Sequence, residues 1–182
     1  MPTRPTTLTA AAGEHYVAYY LSTKNYIAAL TRGGTPSVDI LVSSIDGRRT
    51  LGIQVKTMQW CYHERKRNPD NSHWMFDVGW KAVGNFDDSL IYAFVSLTNP
   101  KVGLGQQNKP LIFWALPSEI ARTLGSGYTR NMFRIRCSER KKYEDDNWSL
   151  VTQVLEEGDY KETNTPTVIT ENVLNTNEPI NA

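Results

Sequence analysis

The spacing of apolar residues changes along the chain, and each change marks an element. Over residues 9–24 (TAAAGEHYVAYYLSTK), Ala10, Val17 and Leu21 recur at helical spacing and Thr9 offers a hydroxyl to the first turn, so a helix is expected to end near Lys24 and Asn25. A short strand is expected at 26–31. After Gly33, Gly34 and Pro36, two runs of β character follow, SVDILVSSI at 37–45 and RTLGIQVKT at 49–57, joined at Asp46-Gly47, a strong hairpin signal. Residues 58–73 carry few aliphatics and read as a polar excursion. The continuous apolar runs at 90–97 and 111–116, bounded by Asn-Pro and Pro-Ser, read as buried strands. A short helix at 117–124, a strand at 132–136 and a last helix capped by Asp146 or Asn147 and ending near Leu155 complete the pattern. The expectation is an α/β domain over 1–155 followed by a Thr, Asn, Glu and Pro-rich acidic tail over 156–182.

The hairpin sets side chains against one another. With Asp46-Gly47 as a two-residue turn, paired residue numbers sum to 93, which puts Val42 against Leu51, Ile40 against Ile53 and Val38 against Val55 on a wholly aliphatic face. The opposite face then carries Asp39 directly against Gln54, Lys56 two residues further on, and Leu41 against Gly52. In the first helix, Glu14 lies in the stripe of Ala10, Val17 and Leu21 and should face the sheet. A carboxylate facing an apolar sheet needs a cation or hydrogen-bond donors. Lys56 could supply an ion pair. A divalent metal held by Glu14, Asp39, the Gln54 side-chain oxygen and a backbone carbonyl near Val55 accounts for more of these residues together.

Charge sharpens this picture. Nineteen Lys and Arg against ten Asp and Glu give residues 1–143 a net +9, while residues 144–182 hold one Lys against nine acids, net −8. A basic body suits a polyanionic partner, through counterion release. Arg65, Lys66 and Arg67 beside Trp60 and Tyr62 fit a loop that touches phosphate and stacks an unpaired base, and Arg134 and Arg136 alternate on one exposed strand face. The Trp, Tyr and Phe residues of 92–114 read as core. Cys61, His63 and His73 give only three zinc-type ligands, with no fourth at matching spacing. Two cysteines are too few for a disulfide framework, and no apolar run reaches the roughly 18 residues of a membrane span, so a cytoplasmic protein is expected.

A helical Glu, a hairpin with Asp on its first strand and Gln-Val-Lys on its second, and Thr57 following, together resemble the PD-(D/E)XK nuclease superfamily. The likeness is to the branch with Holliday junction resolvases and Mrr-type restriction endonucleases. It covers residues 13–57 in motif order and extends more loosely through IYAFVSL and IFWALPSEIARTL. The resemblance implies a restriction-endonuclease-like core, with a mixed β-sheet and central β-hairpin flanked by helices. It also implies Mg2+ (or Mn2+) on Glu14, Asp39, Gln54 and the Val55 carbonyl, with Lys56 as the catalytic lysine. Val38 stands where the namesake motif has Pro, and Gln54 replaces an acid, as in the Mrr-type branch, removing one negative charge from the metal site. The implied activity is Mg2+-dependent endonucleolytic hydrolysis of DNA phosphodiesters, with RNA left open and a homodimer suited to cutting both strands. The rivals are a catalytically silent nucleic-acid-binding module of the same fold, and a subunit of a defence or repair complex docked through its acidic tail.

Overall fold

The computed structural model describes residues 6–31, 37–82, 88–98, 109–124, 131–144 and 149–157; the expected acidic tail lies outside them from residue 158 onward. Helix α1 (Thr6–Thr23) begins three residues before Thr9. It ends because Asn25 adopts φ 66°. The Tyr26 N–H then reaches Leu21 O (3.2 Å) and the Asn25 N–H reaches Ser22 O (3.1 Å), satisfying two carbonyls of the last turn.

Strands β1 (Ile27–Leu30), β2 (Ile40–Ser43), β3 (Thr50–Met58), β6 (Leu90–Ser96) and β7 (Leu111–Ala115) form a sheet in the order β1-β2-β3-β6-β7. Only the β3–β6 pairing is parallel, so the sheet is mixed. The hairpin keeps the expected register: Ile40 pairs with Ile53, Leu41 with Gly52 and Val42 with Leu51. Two details differ from expectation. The strands stop at Ser43 and Thr50, and Asp46 builds a wider turn by accepting from the Ser44 hydroxyl (2.6 Å) and the Arg48 N–H (3.1 Å), so Ile45 and Arg48 do not pair in the ladder. At the other end the ladder stops at Ile40. The Asp39 N–H also donates to Ile53 O (2.8 Å), so two successive β2-side residues meet one on β3, as in a bulge. The facings of Asp39 to Gln54 and of Val38 to Val55 are therefore not formed. Val38 instead lies over Gly52, whose ideal Cβ would sit 3.0 Å from Val38 Cγ2.

One face of the sheet buries Ile40, Val42, Ile53, Val55, Ile91 and Val95 against Val17 and Leu21 of α1. Val151 of the short helix α4 (Ser149–Thr152) and Leu155 join the same core. The other face buries Tyr92, Phe94, Phe113 and Ala115 against a second sheet and against Ile120 and Leu124 of α2 (Pro117–Leu124). The second sheet is antiparallel, in the order β4-β5-β8: β4 (Tyr62–His63), β5 (His73–Asp77) and β8 (Met132–Arg136). The segment expected to be a polar excursion thus contributes β4 and leads into β5, which buries Trp74 and Phe76 completely. A one-turn helix α3 (Arg140–Tyr143) follows β8. The aromatics at 92–114 are core, as expected. Among the described residues no helix is long and apolar enough to cross a membrane.

Candidate active site

The site begins where α1 lies closest to β3. The buried stripe of α1 is Gly13, Val17 and Leu21, whereas Ala10 is exposed, so the expected stripe is shifted. Gly13 permits the approach: a Cβ built there would stand 1.8 Å from Thr57 Oγ1 and 2.7 Å from Thr57 Cγ2. Glu14, the next residue, is therefore half-buried at the flank of the contact and does not stand at its centre.

Asp39 sits where β2 parts from β3. One of its carboxylate oxygens, Oδ2, accepts the Val55 N–H at 2.7 Å, in place of the backbone acceptor that a continued β2 would supply. The N–H and C=O of one strand residue point to the same neighbour, so the Val55 carbonyl faces the same gap. Glu14 and Asp39 share this region. Burial first, then the negative charge of Asp39, hold the Glu14 carboxyl above the ordinary range, and His15 offsets this only in part. A carboxylate held up by burial and by a neighbouring carboxylate marks a site short of positive charge. Lys56 does not relieve it: among the described residues no ion pair joins Lys56 to Glu14 or Asp39. The ion-pair alternative is thus not formed. Gln54 and Lys56 lie two apart on β3, half-buried, on the face opposite Ile53 and Val55.

Tyr92 completes the neighbourhood and was not singled out by sequence reasoning. It pairs with Gln54 across the parallel β3–β6 ladder and is 3% exposed. Burial and then the Asp39 charge push its phenol above the ordinary tyrosine value. Its place inside the apolar run 90–97 gave no sign of this role, because only the parallel register brings it beside Gln54.

The basic residues form a separate surface on the second sheet. Successive turns shape their loop: the Asn68 N–H donates to Arg65 O (3.1 Å), the Asn71 N–H to Asn68 O (3.0 Å) and the Ser72 N–H to Pro69 O (2.9 Å). The buried Ser72 hydroxyl in turn accepts the Arg65 N–H (3.0 Å). Arg65, Lys66 and Arg67, with Glu64, Asn68 and Asn71, line an open concavity of about 420 Å³. Arg134 and Arg136 alternate along β8, opposite Met75 and His73. Arg65, Lys66, Arg67 and Arg136 make no ion pair among the described residues, whereas Arg140 pairs with Glu144 and Lys142 with Glu119. Trp60 is exposed, while Tyr62 is spent on the core, 4.9 Å from Trp74 between ring centroids.

Cys61, His63 and His73 are not gathered into one group of metal-type ligands among the described residues. Cys61 is buried and its thiol is pushed up to about 11, and the two histidine rings stack on each other at 5.4 Å. Among the described residues no three His, Cys, Asp or Glu side chains gather to hold an ion, so the Glu14–Asp39 region offers two carboxylates and otherwise neutral oxygens.

No family model and no curated protein matches the chain. A solved bacterial homing endonuclease is similar, at 12% identity and a TM-score of 0.47, over 82% of this chain and 94% of that one. A likeness of that extent leaves the function to be argued from the site's own residues.

Proposed function

We propose that the chain is a metal-dependent DNA endonuclease of the PD-(D/E)XK type. The observation that carries this reading is the meeting of Glu14 and Asp39 where β2 parts from β3, with no lysine or arginine paired to either among the described residues. The donors suit a hard divalent cation, because all are oxygens: Asp39 Oδ1, which accepts no hydrogen bond among the described residues, the Glu14 carboxylate, the Gln54 amide oxygen and the Val55 carbonyl. The raised proton affinity of Glu14 is what such a cation would reverse.

In this reading Mg2+ or Mn2+ supplies a lowered water pKa and charge neutralisation at the phosphate. The chain's own residues do the rest. Asp39, anchored through its Oδ2 by the Val55 N–H, presents its second oxygen in a fixed direction. Lys56, unpaired in the described residues, orients the attacking water or stabilises charge developing on the phosphorane. Glu14 holds that water or accepts its proton. Arg65, Lys66, Arg67, Arg134 and Arg136 contact the phosphate backbone and set the position of the duplex without reading sequence.

A second reading, a catalytically silent binding module of the same fold, is favoured by one observation: Gln54 leaves the site with two carboxylates. Incubation with supercoiled plasmid in Mg2+ or Mn2+ and in EDTA separates the two. Nicking that needs the metal supports the nuclease. Salt-sensitive binding without nicking supports the silent module.

A further inference from the structure

We infer that the outer face of the second sheet holds a phosphate site, in which His73, set between His63 and Arg136 in the ladder, donates a hydrogen bond from Nε2 to one backbone phosphate of bound DNA. The inference rests on the DNA-binding part of the reading above and deepens it, since that reading gives the histidines no task. Directly opposed residues of an antiparallel pair share a face. The pairings of His63 with His73, His73 with Arg136 and Met75 with Arg134 therefore put all of these on the side away from buried Trp74, Phe76, Phe133 and Ile135. His73 differs from its neighbours on that face in being only 3% exposed. Its Nδ1 lies 2.8 Å from the Asn71 carbonyl oxygen, which can only accept, so the single proton of the neutral ring sits on Nδ1. Nε2 is then a buried lone pair, with no hydrogen-bond partner among the described residues. A buried polar atom left alone costs free energy, so it marks a place that a ligand completes. The surrounding charges decide which ligand. Those that act on His73 are Arg134, His63 and Arg65, whereas the exposed Arg136 and the acids on adjoining segments, Glu64, Asp70 and Glu139, are not among them. Positive charge from two strands and a loop selects an anion, and Arg65 also lines the concavity with Asn71, the residue that fixes the ring. His63 is exposed and stacks on His73 at 5.4 Å, so the ring lying over His73 is a surface side chain that a phosphate can displace. Burial first, and then the Arg134, His63 and Arg65 charges, hold the proton affinity of His73 below that of an ordinary histidine, against the bond to Asn71. A bound phosphate offsets those charges, so Nε2 takes up one proton from solvent on binding. Affinity then rises as pH falls through the bound-state value and levels off below the free-state value.

The test follows binding of a fluorescein-labelled duplex by anisotropy in EDTA, from about pH 8 to about pH 5.5 at constant ionic strength, for wild type, His73→Gln and His63→Asn. Gln offers an uncharged donor near the Nε2 position and does not titrate. The expected result is a wild-type affinity that gains roughly tenfold over this span beyond any gain in His73→Gln, the effect of one histidine shifted by about one pH unit. His63→Asn should keep that gain. A second measurement needs no variant to fold: the imidazole resonances of the three histidines are titrated with and without the duplex, and DNA should raise the His73 midpoint by about one pH unit. Equal pH dependence in wild type and His73→Gln, or a His73 midpoint that DNA leaves unmoved, overturns the inference, and metal-dependent nicking in that case leaves the nuclease reading standing. A gain lost in His63→Asn and kept in His73→Gln overturns it in favour of His63. A raised His73 midpoint in a protein that never nicks plasmid supports the phosphate site and removes the nuclease reading. Absence of DNA binding across the whole pH span removes both.

Discussion

Replacing Gly13 with alanine tests how α1 is held against the sheet, and through it the placement of Glu14. The added methyl would fall 1.8 Å from Thr57 Oγ1, 2.7 Å from Cγ2 and 2.8 Å from Cβ, all below any tolerated contact. Thr57 is half-buried, so its side chain has little freedom to turn away, and the helix must move instead. Overpacking of this kind costs about 1–3 kcal/mol, against which alanine gains about 1 kcal/mol over glycine in helix propensity. With a contact as short as 1.8 Å the cost falls at the upper end of that range, about 3 kcal/mol, so the net expectation is a loss of about 2 kcal/mol, a fall of roughly 4–8 °C in thermal midpoint for a chain of this size. Thermal and urea unfolding followed by circular dichroism measure it. Thr57→Ala removes the two nearest of the three colliding atoms, so the double variant should recover part of the loss, a coupling that unrelated sites would not show. Cleavage should fall further than stability in Gly13→Ala, because Glu14 moves with the helix. A Gly13→Ala protein as stable as the wild type, or more stable, would refute the close crossing of α1 over β3.

Further outcomes follow from the same geometry. The folded chain binds the Glu14 proton more tightly than the unfolded chain, so the stability linked to it is full below the unfolded glutamate pKa and falls as pH rises through the raised folded value. At neutral pH without divalent ions, Glu14→Gln should therefore raise the thermal midpoint, and added Ca2+ should raise the midpoint of the wild type and not of this variant. Asp88→Ala removes the acceptor for the Ser118 N–H (2.9 Å) and hydroxyl (2.8 Å) at the start of α2. It should cost about 1 kcal/mol, read in urea unfolding. Replacing Arg65, Lys66 and Arg67 together with alanine should lower the slope of log affinity against log salt by about 2–3, in filter binding with duplex DNA.

The strand and helix order was legible because long apolar runs and turn formers fix it locally. The 111–116 run, Pro117-Ser118-Glu119 and the Asp46-Gly47 hairpin lie within a residue or two of where they were expected. The second sheet was harder to see, because β4 is two residues long and β5 gains its identity only from pairing with β8, some sixty positions away. The site shows the same division. Sequence order places Glu14, Asp39, Gln54 and Lys56 on a helix and a hairpin. The bulge at Asp39 depends on a side chain replacing a backbone acceptor, which no alternation pattern encodes. Gly13 was read as part of a helical run, and only the distance to Thr57 gives it a task. Tyr92 stayed hidden for the reason a parallel partner always does: its neighbour Gln54 is distant in sequence and set by a crossover.

The most direct test of the nuclease reading compares wild type, Asp39→Ala and Lys56→Ala on supercoiled plasmid and on branched and single-stranded oligonucleotides, in Mg2+ or Mn2+. The account expects cleavage by the wild type, lost in both variants, with salt-sensitive binding retained in Lys56→Ala at reduced affinity. Cleavage that persists in either variant, or a wild type that binds DNA without cutting it, would contradict it.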